Sequence, residues 1–257
     1  MRANLVRCVL LALALCAGTI QTGRAANIVP DNGGGTADLP IHLDYLGKQP
    51  MYIIDGLPAG TNITIGAVHT APTSTLEVAG GSLGGTASVG YGSGFQWNMQ
   101  GTGALAGFNR NIFVPFNSSV ASFPAPPNAG YEVHAAPRTP FAPVQSFDTT
   151  MFRLFGQITG DPDFDLLRVT AGTDFGLPSP GHTTLTQAPG GNWAVDSFFD
   201  ITYRIDFVGR PGGSLAGHSG STTGTARFEV VPEPGTYVML GMGAITLAGW
   251  AWRRRRA

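Results

Sequence analysis

The stretch Phe199-Asp200-Ile201-Thr202-Tyr203-Arg204-Ile205-Asp206-Phe207 alternates apolar and polar side chains without a break. Successive side chains of an extended strand point to opposite faces, so a period of two predicts a β-strand with one face in a core and the other in water. The pattern recurs on both sides of it. Asn62 to Val68 sets Ile63 and Ile65 against Asn62 and Thr64, and Thr222 to Val231 sets Ala226, Phe228 and Val230 against Thr225, Arg227 and Glu229. Phe152 to Ile158 reads as a strand with Phe152, Leu154 and Ile158 on one face. Met51 to Ile54, Phe95 to Met99, Ile112 to Phe116 and Leu166 to Thr170 are shorter candidates between Gly- or Pro-marked turns. With 37 Gly, 19 Pro and little helical periodicity, the chain is expected to be all-β. The expected fold is an antiparallel β-sandwich, jelly-roll-like, over residues 26–230.

Two segments interrupt this pattern. Pro124 to Pro143 contains Pro124, Pro126, Pro127, Pro137, Pro140 and Pro143, too many for a central strand, because proline removes a ladder donor. It reads as a connection between two sheets or as a boundary between subdomains. The connection is preferred, since the second half alone has few strands with which to close a core. Gly80 to Gly94 is glycine-rich without a fixed period, so it gives no support for a solenoid.

Charge limits the partners. Residues 27 to 231 hold 8 Lys and Arg against 15 Asp and Glu, and an acidic body of this kind lacks the cationic face that nucleic acid requires. Both cysteines, Cys8 and Cys16, lie near the N-terminus, which leaves no thiol in the body. Leu15 stands before Cys16, where a lipoprotein signal has a small residue.

Both ends read as topogenic. Arg2 and Arg7, the apolar run Val9 to Ala17 and the small-residue exit around Gly23-Arg24-Ala25-Ala26 make a secretory signal over residues 1–25. Cleavage is expected after Ala25, which places Gly23 and Ala25 at the two positions that must be small. At the other end, Val231-Pro232-Glu233-Pro234 precedes an uncharged run, residues 235–252, and then Arg253, Arg254, Arg255 and Arg256. A helix of that length spans roughly 27 Å, the thickness of a bilayer's hydrocarbon core. Four arginines hold its end in the cytoplasm and leave the body on the far side.

This tail, residues 231–257, resembles the PEP-CTERM sorting domain of bacterial exosortase substrates. The resemblance implies that an exosortase cuts at or near Pro232-Glu233-Pro234 and releases the body to the cell surface or to an exopolysaccharide-rich matrix. The prolines suit that role physically, since they keep the backbone extended just outside the bilayer. Thr183 to Gln187, Gly191 to Trp193 and Val195 to Tyr203 are also similar to segments of uncharacterised exported bacterial proteins, a resemblance that brings no known activity.

Few residues suggest chemistry. Asp161, Asp163 and Asp165 alternate along Asp161-Pro162-Asp163-Phe164-Asp165 and are candidates to converge on calcium, although Leu166 and Gly172 stand where an EF-hand loop has Gly and Glu. Trp97 and Trp193 are candidates to stack on sugar rings. Gly217-His218-Ser219-Gly220-Ser221 lacks the closing glycine and the helix of a nucleophile elbow. Gly80 to Gly85 lacks the lysine and the helix of a phosphate loop. His42, His69, His134, His182 and His218 show no metal-ligand spacing.

The sequence therefore predicts a non-enzymatic surface or extracellular-matrix protein with a structural or adhesive role and no cofactor unless calcium. A calcium-assisted module that binds exopolysaccharide is the alternative. The expected partners are the Sec translocon, signal peptidase, exosortase and the membrane that holds the precursor.

Overall fold

The computed structural model describes residues 27–116 and 130–231. The leader with Ala25, the Pro232-Glu233-Pro234 motif, the 235–252 span and Arg253 to Arg256 lie outside the described residues. Asn27–Val231 form one compact unit.

The strands in chain order begin with β1 (Asn27–Val29), β2 (Tyr45–Gly47), β3 (Met51–Ile53), β4 (Ile63–His69) and β5 (Ser74–Ala79). There follow β6 (Thr86–Tyr91), β7 (Gly94–Gly101), β8 (Asn109–Pro115), β9 (Tyr131–Ala135) and β10 (Val144–Thr159). The last are β11 (Phe164–Ala171), β12 (Pro180–Gln187), β13 (Trp193–Gly209) and β14 (Ser219–Val230). The helical pieces among the described residues are two single 3₁₀ turns, Gly103–Leu105 and Thr173–Phe175.

All strand pairs are antiparallel, in the neighbour order β5-β6-β9-β10-β11-β13-β14-β2-β4-β7-β8. The alternating stretch Phe199 to Phe207 lies inside β13, whose 17 residues alternate buried and more exposed positions from Trp193 to Gly209. Its length lets one edge serve two neighbours, Gly181–Gln187 of β12 along its first half and Phe164–Ala171 of β11 along its second. The 16-residue β10 does the same from the other side. Beyond β8, Phe116 bridges Gly156 of β10, so the sheet curls until its far strands cover the near ones. Inside this sandwich lie Ile63, Ile65, Trp97, Phe164, Leu167 and Ile205, all fully buried. Rings meet across it, with Phe95 of β7 at 5.4 Å from Phe228 of β14 and Tyr45 of β2 at 5.7 Å from Phe199 of β13.

The strands expected at Asn62 to Val68, Thr222 to Val231 and the four shorter stretches are present as β4, β14, β3, β7, β8 and β11. Two readings need correction. Phe152 does not share a face with Leu154: the register of β10 on β9 shifts between Met151 and Arg153. An extra residue in one strand reverses the alternation beyond it, so Met151 and Leu154 enter the core while Phe152 stacks on His134 at 4.1 Å. The second concerns Pro124 to Pro143, which contains a strand after all. The five proline-free residues of β9, all buried, pair with β6 on one side and β10 on the other.

Candidate functional site

The acidic turn sits between β10 and β11, and its three carboxylates do not converge. Arg110 of β8 reaches across, its Nη2 donating to Asp161 Oδ2 at 2.8 Å and its Nη1 pairing with Asp163. Asp163 Oδ1 also accepts the Ser214 N–H at 2.9 Å. Burial works against ionisation of Asp163, but the Ser214 and Arg110 donors outweigh it and hold the carboxyl below the usual range. Asp165 alternates to the other face and is exposed. The convergence expected for calcium is thus replaced by a guanidinium, and among the described residues no three His, Cys, Asp or Glu are grouped to hold a metal ion. Arg110→Met should cost about 2 kcal/mol, because it strands a largely buried carboxylate. Millimolar calcium should leave the Tm of the unaltered chain where it is, as thermal unfolding can check; a clear rise in Tm would show that the ion displaces Arg110.

Neither tryptophan offers a face to a sugar. Trp97 and Trp193 are 0% and 1% exposed, since both point inward on their strands. The Trp193 indole N–H donates to Asp31 Oδ2 at 2.9 Å. Asp31 Oδ1 accepts the N–H groups of Gly33 and Gly35, so this carboxylate folds the loop that follows β1. Beside that loop lies a cleft of about 330 Å³ with Asp38 and His42 in its wall.

The histidines are dispersed, and each has a local role where contacts exist. His42 Nε2 lies 3.2 Å from Thr75 Oγ1, and His182 contacts Ser146 at 2.8 Å and Asp148 at 2.9 Å. His69 is a core residue, ringed by Tyr45, Phe95, Phe116 and Tyr131. Two relays of catalytic appearance stand among the described residues. In the first, His182 joins Ser146 Oγ at its Nε2 to Asp148 at its Nδ1, with the Asp148 side chain 77% exposed to water. In the second, His134 Nδ1 is 2.9 Å from Ser82 Oγ and its Nε2 is 2.9 Å from Glu132 Oε1. However, the Ser82 backbone N–H also donates to Nδ1, at 3.0 Å. In acyl transfer by a serine, that N–H belongs to the oxyanion hole. Here it is already engaged, and the contact pins the Gly80–Gly85 loop to β9. Ser219, in the apparent nucleophile elbow, begins strand β14 instead of a helix.

A further feature escaped the sequence reading. On the outer face of β3, β4, β7 and β8 the registers align Tyr52, Thr64, Gln100 and Asn109 in one row. Gly66, Asn98 and Asn111 form the next, and Val68, Gln96 and Phe113 the third, which Leu46 of β2 extends beyond Val68. Asn98 Nδ2 donates to Asn111 Oδ1 at 2.8 Å and Gln100 Nε2 to Asn98 Oδ1 at 3.2 Å. Tyr52 and Phe113 are 37% and 47% exposed. The signal in the sequence is Gln96-Trp97-Asn98-Met99-Gln100, carboxamides alternating with core residues, in a stretch that points to sugar through Trp97 while its carboxamides hold the outward positions.

The body ends with Val230 paired to Tyr45 and the Val231 N–H donating to the Asp44 carbonyl at 3.0 Å. Residues 230–256 match the PEP-CTERM protein-sorting motif. The chain carries a PEP-CTERM sorting signal. The PEP-CTERM motif implies processing by exosortase and an exported, membrane-anchored precursor. It starts where β14 stops, so a cut at Pro232 to Pro234 leaves the last ladder of the body intact. No curated protein and no solved structure matches the chain.

Proposed function

We propose that this protein is a surface or extracellular-matrix component whose β-sandwich body has a structural or adhesive role after exosortase removes its tail. Export runs through the Sec translocon, with signal peptidase cutting after Ala25. The observation that carries the reading is the PEP-CTERM motif following directly on β14. The body acts by contact and not by turnover, a view supported by the engagement of the Ser82 N–H with His134 and by the open position of the Ser146-His182-Asp148 relay, whose carboxylate is left in water.

Mass spectrometry of the protein from exosortase-positive cells should find a mature C-terminus at or near Pro232 to Pro234 and an N-terminus at Ala26. Deleting the exosortase should leave the full tail on the chain, in the membrane fraction. An unprocessed chain recovered from the cytosol of both strains would end the proposal.

A further inference from the structure

Of the outer surfaces, the β3-β4-β7-β8 face is the one whose composition selects a ligand. None of the outward side chains in its three rows carries a charge, although the body as a whole holds 15 acids; the first charge met in register is Glu229 of β14, beyond Leu46, and it is paired with Lys48. In their place stand Gln96, Asn98, Gln100, Asn109 and Asn111. Each carboxamide offers two donors and an acceptor, and the bonds among Asn98, Gln100 and Asn111 use only part of that capacity. Gln96 and Asn109 make no side-chain hydrogen bond among the described residues. At ~6.8 Å between outward positions along a strand and ~4.8 Å between strands, the array measures roughly 14 Å by 14 Å.

Gly66 lies in the middle of this array and is exposed. Its backbone is outside the left-handed region, and an added Cβ would meet nothing nearer than Asn98 O at 3.9 Å. Neither conformation nor packing requires glycine here. A glycine inside a strand weakens it and marks a place where a ligand or another backbone comes close. It leaves open space above the strand beside Asn98, with Tyr52 and Phe113 at opposite corners of the face.

We infer that this face binds an uncharged polysaccharide, laid over Gly66. Sugar hydroxyls donate and accept as carboxamides do, the C–H faces of sugar rings pack on exposed aromatic rings, and the absence of charge favours a neutral polymer. A second copy of the chain is a poorer occupant, because a stable protein interface has an apolar, fully buried centre, and here the centre is Gly66, Asn98 and Asn111. The inference deepens the adhesive reading and rests on it for the setting in which the polymer is met.

The test is affinity electrophoresis of the full-length chain in detergent, on native gels cast with hydroxyethyl cellulose, dextran, galactomannan or, as the acidic control, alginate. At least one neutral polymer is expected to retard the protein, and alginate is not. Gly66→Val should abolish retardation while the Tm stays level or rises, and the double variant Asn98→Ala/Asn111→Ala should weaken it at least about tenfold. Retardation that survives Gly66→Val, equal retardation by alginate, or none by any neutral polymer overturns the inference. So does a dimer that Gly66→Val converts to monomer without any effect of polymer. Proteinase access to the body on intact cells reports the surface reading separately, so failure of either is recognisable on its own.

Discussion

Acidification from pH 6.5 towards pH 4.5 is expected to cost the fold roughly 2–3 kcal/mol through a single side chain, His69. The ring sits among Tyr45, Phe95, Phe116 and Tyr131, with the nearest centroid, that of Tyr131, 4.7 Å away. Ser93 Oγ donates to the Thr70 carbonyl at 2.6 Å, so at 3.0 Å from His69 Nε2 it is the acceptor of the imidazole N–H. Among the described residues no carboxylate contacts this ring, and burial alone pushes it from the ordinary 6.5 down to about 3. The folded chain therefore keeps His69 neutral over a range in which the unfolded chain binds a proton there. Stability from this group is complete above pH 6.5 and falls by about 1.4 kcal/mol per pH unit on the way to pH 3. The aspartates held low by their partners, Asp31, Asp163, Asp200 and Asp206, start from an ordinary value of 3.8 and lose their contribution mainly as the pH falls through and below that value. Urea unfolding at several pH values should show the slope in the unaltered chain, and His69→Phe, which keeps an aromatic ring in the cluster, should flatten it. Parallel curves for the two proteins would show that His69 is not held neutral in the core.

His69 also shows where reading the sequence stops. Period two identified β4 from Ile63 and Ile65, and in the structure the strand runs on to put Ala67 and His69 on their face, but what surrounds a strand position comes from distant segments: Phe116 and Tyr131 lie far along the chain. The same holds for the acidic turn, whose partner Arg110 is 51 residues from Asp161. A run of carboxylates reads as a cation site only until the fold supplies a guanidinium. Local pattern failed in two other places for a local reason. The bulge at Phe152 leaves no mark in composition, and β9 is short enough to fit between Pro127 and Pro137 without a proline in its ladder. The outer face of β7 and β8 was legible as alternation but not as a surface, because its meaning depends on register: only pairing puts Asn98 between Gly66 on one side and Asn111 on the other. The tail needed no fold to be read, since its signal is linear: two prolines, an uncharged run and four arginines in order.

Trp97→Ala should lower stability by about 3–5 kcal/mol, the cost of emptying an indole-sized space that the surrounding strands cannot close. The ring is fully buried, stacked on Phe95 at 5.9 Å, on a strand whose backbone is held by β4 at Ala67 and by β8 at Ile112. For a body of this size such a loss corresponds to a Tm lower by roughly 10–15 °C. Trp97→Phe should cost clearly less, because it keeps an aromatic ring and removes an indole N–H that has no hydrogen-bond partner among the described residues. Thermal unfolding followed by circular dichroism separates the two, and a Trp97→Ala chain that melts with the unaltered protein would show that the ring is not a core element. The size of the effect decides how binding data are interpreted. Loss of polysaccharide retardation in Trp97→Ala reports a damaged sandwich, since the indole has no exposed face with which to touch a ligand. Gly66→Val adds side-chain atoms on the opposite face of the same sheet, where they meet open space, so only there does lost binding with an unchanged melting curve locate the contact.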